Sequence, residues 1–119
     1  MEEKQEEKNK TEMTLTHKVI QELCDYQINL FAPPSGSYSS TTIKVAQDIG
    51  YKTIMWSRDT IDWRDKDRDT IFRRATEKTQ CGDLILMHPT EKTAEALEDI
   101  ILALQNKGLS LTTVSQTIA

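Results

Sequence analysis

A chain of 119 residues with a formal net charge of −4 and an isoelectric point near 5.2 is long enough for one domain with a real core and too short for two comfortable ones. Its acidic balance offers no basic field to a phosphate backbone, which excludes general nucleic-acid binding and leaves neutral or cationic partners open. No apolar run approaches the roughly 18 residues of a membrane span, and the front, Met1 to Lys8, lacks the apolar core of an export signal, so the chain as written carries no signal of its own.

Residues 1–12 are nearly all charged or polar and predict a solvated, frayed or disordered segment ahead of the domain proper, residues 13–119. Met13, Leu15, Val19, Ile20 and Leu23 then recur at helical spacings and predict a helix running into Leu23. Cys24 and Cys81 form no CxxC or His-Cys cluster and read as free, buried thiols in preference to a disulfide.

Ile28 to Phe31 reads as a short buried strand that feeds Phe31-Ala-Pro-Pro-Ser-Gly-Ser-Tyr38. Two prolines fix φ there and Gly36 permits an angle that other residues avoid, so this loop holds a defined shape. Ser39 or Ser40 caps a helix whose inner face is Ile43, Ala46 and Ile49, with Gly50 at its end. Tyr51 to Trp56 has strand character, Ser57 to Asp65 reads as a polar loop, and a helix fits 67–80 with Ile71, Phe72 and Ala75 inward.

The continuous apolar run Leu84 to Met87 has the pattern of a strand covered on both faces. Thr90 caps a helix with the stripe Ala94, Leu97, Ile100, Ile101 and Leu104, and Leu109 to Ile118 predicts a last strand rich in Thr and Val. Alternating helices and strands with short connections indicate parallel βαβ units.

Functional groups in such folds gather where strands end and helices begin. Three clusters fall there: Pro33 to Tyr38, Asp59 to Trp63, and His88. Each has an ordinary reading, as a tight turn, a loop carboxylate, a core tryptophan or a structural histidine. Together they suggest chemistry. A histidine oriented by a carboxylate is a candidate general acid or base, which singles out Asp62 and His88. Trp63 offers a flat apolar wall of the kind that stacks on sugar rings, and the backbone N–H groups near Ser35 and Gly36 are candidate oxyanion donors.

Phe31 to Tyr38, Thr53-Ile-Met-Trp-Ser-Arg-Asp-Thr-Ile-Asp-Trp63 and Gly82-Asp-Leu-Ile-Leu-Met-His-Pro89 resemble the last three motifs of the polysaccharide deacetylases, carbohydrate esterase family four, and most resemble its sporulation-type subgroup. The resemblance covers about residues 15–118 and implies a partial (β/α) barrel of parallel strands with flanking helices. It further implies hydrolysis of N-acetyl groups on peptidoglycan or chitin-like amino-sugar polymers by water activated on a divalent metal, usually zinc, at the cell wall or outside the cell. By position, His88 matches the histidine that protonates the leaving amine and Asp62 the carboxylate that tunes it. Trp63 and Leu86 match the acetyl-pocket walls, and Pro34 and Ser35 the third-motif loop with its oxyanion contact.

Two departures stand out. The family's third motif begins with an arginine, where this chain has Ala32, and the Asp-Asp and His-x-x-x-His motifs that hold the metal belong ahead of Met13 and are absent. His17 has no second histidine four residues away and does not replace them. The expectation is therefore the C-terminal half of a deacetylase domain, incomplete or inactive alone. The alternatives are a non-catalytic carbohydrate-binding or assembly module that self-associates through exposed sheet edges, and an unrelated flavodoxin-like domain, against which the lack of a glycine-rich phosphate loop argues.

Overall fold

Nine regular elements follow one another in a computed structural model that describes residues 2–33, 36 and 38–119. They divide into two compact units, Met1–Met55 and Trp56–Ala119.

In the first unit, helix α1 spans Glu2–Cys24, so the charged front is helical. Strand β1 (Leu30–Phe31), helix α2 (Ser40–Asp48) and strand β2 (Lys52–Thr53) follow. β1 and β2 pair in parallel, Leu30 opposite Lys52 and Phe31 opposite Thr53, which leaves the strands shorter than the runs Ile28–Phe31 and Tyr51–Trp56 suggest. The Ser39 hydroxyl caps α2 by accepting from the Thr42 N–H at 3.2 Å. Gly50 turns the chain with φ 84°, a conformation that costs glycine little. Met13, Val45, Ala46 and Tyr51 form the core, with Ile28, Phe31 and Ile49 packed against it. α2 therefore buries Val45 beside Ala46, while Ile43 is only half-buried. His17 Nδ1 lies 2.6 Å from the Tyr51 hydroxyl with the rings stacked, and burial raises the Tyr51 pKa above the ordinary tyrosine value.

The second unit holds β3 (Arg58–Asp59), α3 (Arg68–Thr76), β4 (Ile85–Leu86), α4 (Glu91–Asn106) and α5 (Val114–Ile118). β3 lies inside the stretch read as a polar loop; it pairs in parallel with β4, Arg58 opposite Ile85 and Asp59 opposite Leu86. Ladder hydrogen bonding can recruit a polar dipeptide that hydrophobic patterning passes over. α3 starts at the Asp67 cap, whose carboxylate accepts from the Thr70 N–H. Ile71 and Ala75 of α3 and Ala96, Ile100 and Leu104 of α4 make one core, against which Phe72, Ile85, Met87 and Leu109 pack.

The buried stripe of α4 is Thr93, Ala96, Ile100 and Leu104. Ala94 and Leu97, both expected inside, are exposed, because small Ala96 rather than Leu97 fits the approach of α3. The expected strand over Leu109–Ile118 is also replaced, by a segment without regular structure and α5. There Thr113 and Gln116 form a reciprocal capping box that satisfies the first N–H groups of the helix. Cys24 and Cys81 are free but exposed, contrary to the buried thiols expected. No described helix is long and apolar enough to cross a membrane.

Candidate active site

The site lies within the second unit, where the turn after β3 meets the end of β4 and the start of α4. Asp59 Oδ1 accepts from the Ile61 N–H at 2.9 Å, and the Ile61 carbonyl accepts from the Arg64 and Asp65 N–H groups, so the chain reverses sharply at Ile61. Ile61 itself has φ 53°. A β-branched residue in the left-handed region costs on the order of 1–3 kcal/mol and persists only where its surroundings over-determine it. The braces are visible. The Leu86 carbonyl accepts from the buried Thr60 hydroxyl at 2.9 Å, the Arg74 guanidinium donates to the Thr60 carbonyl at 3.1 Å, and it also pairs with Asp65 at 2.8 Å. Arg64 makes two further bonds to the Asp65 carboxylate, and Arg64 followed by Arg74 holds the Asp65 pKa down at about 2.

This turn delivers Asp62 to a position with no solvent exposure. Its Oδ1 accepts from His88 Nδ1 at 2.8 Å; its Oδ2 accepts from the His88 backbone N–H at 2.6 Å and from the Thr93 hydroxyl at 2.7 Å. Burial alone would raise the Asp62 pKa. The bonds from the His88 backbone, Thr93 and the His88 ring, with the charge of His88, outweigh it and hold the carboxyl below its ordinary value. Asp62 is an acceptor-only carboxylate at neutral pH.

His88 stands just after β4, ahead of Thr90, which caps α4 by accepting from the Thr93 N–H at 3.1 Å. Its side chain remains 45% exposed, so one ring nitrogen is held by Asp62 while the ring still reaches solvent. Leu86, on β4, is half-buried. Trp63, next to Asp62, is 57% exposed, which rules out a core tryptophan. The structure thus brings Asp62 and His88 together, with Trp63 next to Asp62 and Leu86 on the strand just before Met87 and His88, whereas Pro34 and Ser35 lie outside the described residues. Thr93, Thr60 and Arg74 were not legible as site residues. Only the Thr-x-x-Thr spacing from Thr90 to Thr93 hinted at a hydroxyl there.

No group of three or more His, Cys, Asp or Glu side chains suited to a metal occurs among the described residues. The local chemistry agrees: three donors occupy the Asp62 oxygens, and the Tyr51 hydroxyl engages His17 Nδ1. These residues do not fit the metal that the resemblance implies. A cavity of about 780 Å³ in the first unit, lined by Met13, Leu30, Phe31, Tyr38 and Tyr51 among others, contains none of the Asp62–His88 chemistry.

The second unit thus holds a buried aspartate bonded to an exposed histidine just after a parallel strand, and comparison with known proteins specifies the family. A family model described as polysaccharide deacetylase matches residues 1–54. Protein YlxY of Bacillus subtilis, itself called uncharacterized, is 39% identical over 101 residues, which are 85% of this chain and 32% of that protein. A peptidoglycan-N-acetylglucosamine deacetylase of Bacillus cereus is 30% identical over 95 residues, 75% of this chain and 45% of the relative. Among solved structures, a carbohydrate esterase family four pseudoenzyme from Bacillus anthracis superposes with a TM-score of 0.90 at 32% identity, over 96% of this chain and 41% of that one. The chain belongs to the polysaccharide deacetylase family, carbohydrate esterase family four. It spans a third to under half of the length of these relatives.

Proposed function

We propose that this stretch supplies the proton-donating side of a deacetylase-like site acting on N-acetylated amino-sugar polymers of the peptidoglycan or chitin type, within a (β/α) barrel of which it forms a part. The Asp62–His88 pair is the observation that carries the reading. Asp62 holds Nδ1 and compensates the imidazolium, and His88 Nε2 gives its proton to the departing amine nitrogen as the amide C–N bond breaks. A positioned acid of this kind contributes about 10²–10⁴-fold. Trp63 and Leu86 would flank the acetyl group, with Pro34 and Ser35 in the third-motif loop. The zinc or other divalent metal of the family, which supplies the activated water, finds no ligand set among the described residues. This chain alone is therefore expected to release no acetate.

The test has two arms. N-acetylglucosamine oligomers should change the tryptophan fluorescence of the 119-residue chain, Trp63→Ala should abolish the response, and added zinc should yield no acetate. Grafting residues 56–119 in place of the matching stretch of an active peptidoglycan deacetylase should retain turnover, and His88→Ala in the graft should reduce it by about 10²–10⁴-fold. A graft indifferent to His88→Ala would overturn the acid role. A second reading, a non-catalytic carbohydrate-binding or self-associating assembly module, is favoured by the 32% identity to a pseudoenzyme and by the Ala32 departure. A graft that binds oligomers and metal but does not turn over would support it.

A further inference from the structure

Every proton in the bonds around Asp62 can be assigned. Because Asp62 is an acceptor-only carboxylate, the single Thr93 hydroxyl proton is committed to Oδ2 at 2.7 Å. The 2.6 Å bond between the Thr90 and Thr93 hydroxyls must then be donated by Thr90, whose oxygen meanwhile accepts from the Thr93 N–H at 3.1 Å. At its other oxygen Asp62 receives His88 Nδ1 at 2.8 Å, and that nitrogen must carry a proton. The protons converge on Asp62, from Thr90 through Thr93 on the side of α4 and from the His88 backbone and imidazole on the other.

We propose that Thr93 is a positioning residue of this site: its hydroxyl, oriented by Thr90, fixes the Asp62 carboxylate and through it the Nδ1–H tautomer of His88, leaving Nε2 to exchange the reacting proton. Thr93 touches neither His88 nor any reacting atom in this scheme; it acts through Asp62. Two features make this more than packing. Thr93 is only 5% exposed and Asp62 wholly buried, so no water replaces the hydroxyl if it is lost. Oδ2 also carries two donors against one on Oδ1; removing the Thr93 donor frees the carboxylate to rotate about its Cβ–Cγ bond and weakens its hold on Nδ1. The role in proton donation rests on the function proposed above, but the tautomer does not.

The experiment is nitrogen-15 NMR of the imidazole of the full 119-residue chain at a pH where His88 is neutral. The parent should show one tautomer, protonated at Nδ1. Thr93→Val should raise the Nε2–H form by about tenfold, the effect expected from losing a hydrogen bond to a charged group, and Thr93→Ser should restore the parent spectrum. The fluorescence of Trp56 and Trp63, both in the second unit with Thr93, serves as the folding control. An unchanged Nδ1–H tautomer in folded Thr93→Val overturns the proposal. If that variant does not fold, the parent decides: a Thr93 hydroxyl proton in slow exchange with water supports the assignment, and one exchanging freely overturns it. A shifted tautomer in Thr93→Val alongside a graft indifferent to His88→Ala would retain the positioning role and reject the deacetylase reading.

Discussion

Replacing Asp62 by alanine and by asparagine separates the charge of this side chain from its hydrogen-bonding shape. Alanine removes the acceptor of the buried Thr93 hydroxyl and of the part-buried His88 backbone N–H, whereas the His88 ring, 45% exposed, can turn to solvent. Each orphaned donor costs about 1–3 kcal/mol, so Asp62→Ala should destabilise the second unit by about 4 kcal/mol. That is a large share of the roughly 5–15 kcal/mol that holds a domain folded. Asparagine can place its one oxygen where Oδ2 stands and keep both donors satisfied, losing only the charge assistance, at about 1–2 kcal/mol. Its amide N–H₂ then faces His88 Nδ1. The assay is urea denaturation followed by tryptophan fluorescence, which reports on the second unit because Trp56 and Trp63 both lie there. In the Asp62→Ala background Thr93→Val should be neutral or stabilising, since it removes a donor that no longer has a partner. Equal losses for alanine and asparagine, or an undiminished cost of Thr93→Val after Asp62→Ala, would refute the claim that these donors are satisfied through the carboxylate.

Ile100, 1% exposed between Ala96 and Leu104, should cost about 2–5 kcal/mol on truncation to alanine, read from the same denaturation curve as a lower midpoint with unchanged slope. In acid, Asp62, Asp65, Asp67 and Asp83 all hold their carboxyls below the ordinary value of 3.8, Asp65 at about 2. A depressed folded pKa contributes stability that is complete above the unfolded value and lost as pH falls through the folded one. The second unit should therefore weaken between about pH 4 and about pH 2, and a denaturation midpoint constant over that range would contradict the bonds that hold these carboxylates, from His88 and Thr93 to Asp62, Arg64 and Arg74 to Asp65, Thr70 to Asp67, and the Gln80 backbone and Arg58 to Asp83.

Several local features were legible in the chain because they depend only on near neighbours. Ser39 and Thr90 announce helix starts through a hydroxyl that reaches an N–H three residues on, and Gly50 and Gly108 mark the ends through a backbone angle that glycine adopts at little cost. The motifs around Pro33, Asp62 and His88 identified the family by residue type and order.

Other features needed the folded chain. Hydrophobic pattern could not place β3 on Arg58–Asp59, because what makes that dipeptide a strand is the backbone of β4, Ile85 opposite Arg58 and Leu86 opposite Asp59, far along in sequence. Nor could it choose between Leu97 and Ala96 as the inward residue of α4, since the spacing of α3 settles which volume fits. The run Leu109–Ile118 has every local mark of a strand, yet strands are completed by partners, and α5 closes its own hydrogen bonds through the Thr113 cap instead. Most of all, sequence could nominate an aspartate and a histidine but could not reveal the threonine that orients them. Residue types and short spacings determined the family and the helix ends; which polar atoms share a dry interior, and therefore which proton each must carry, was decided only when distant segments were brought within hydrogen-bond range.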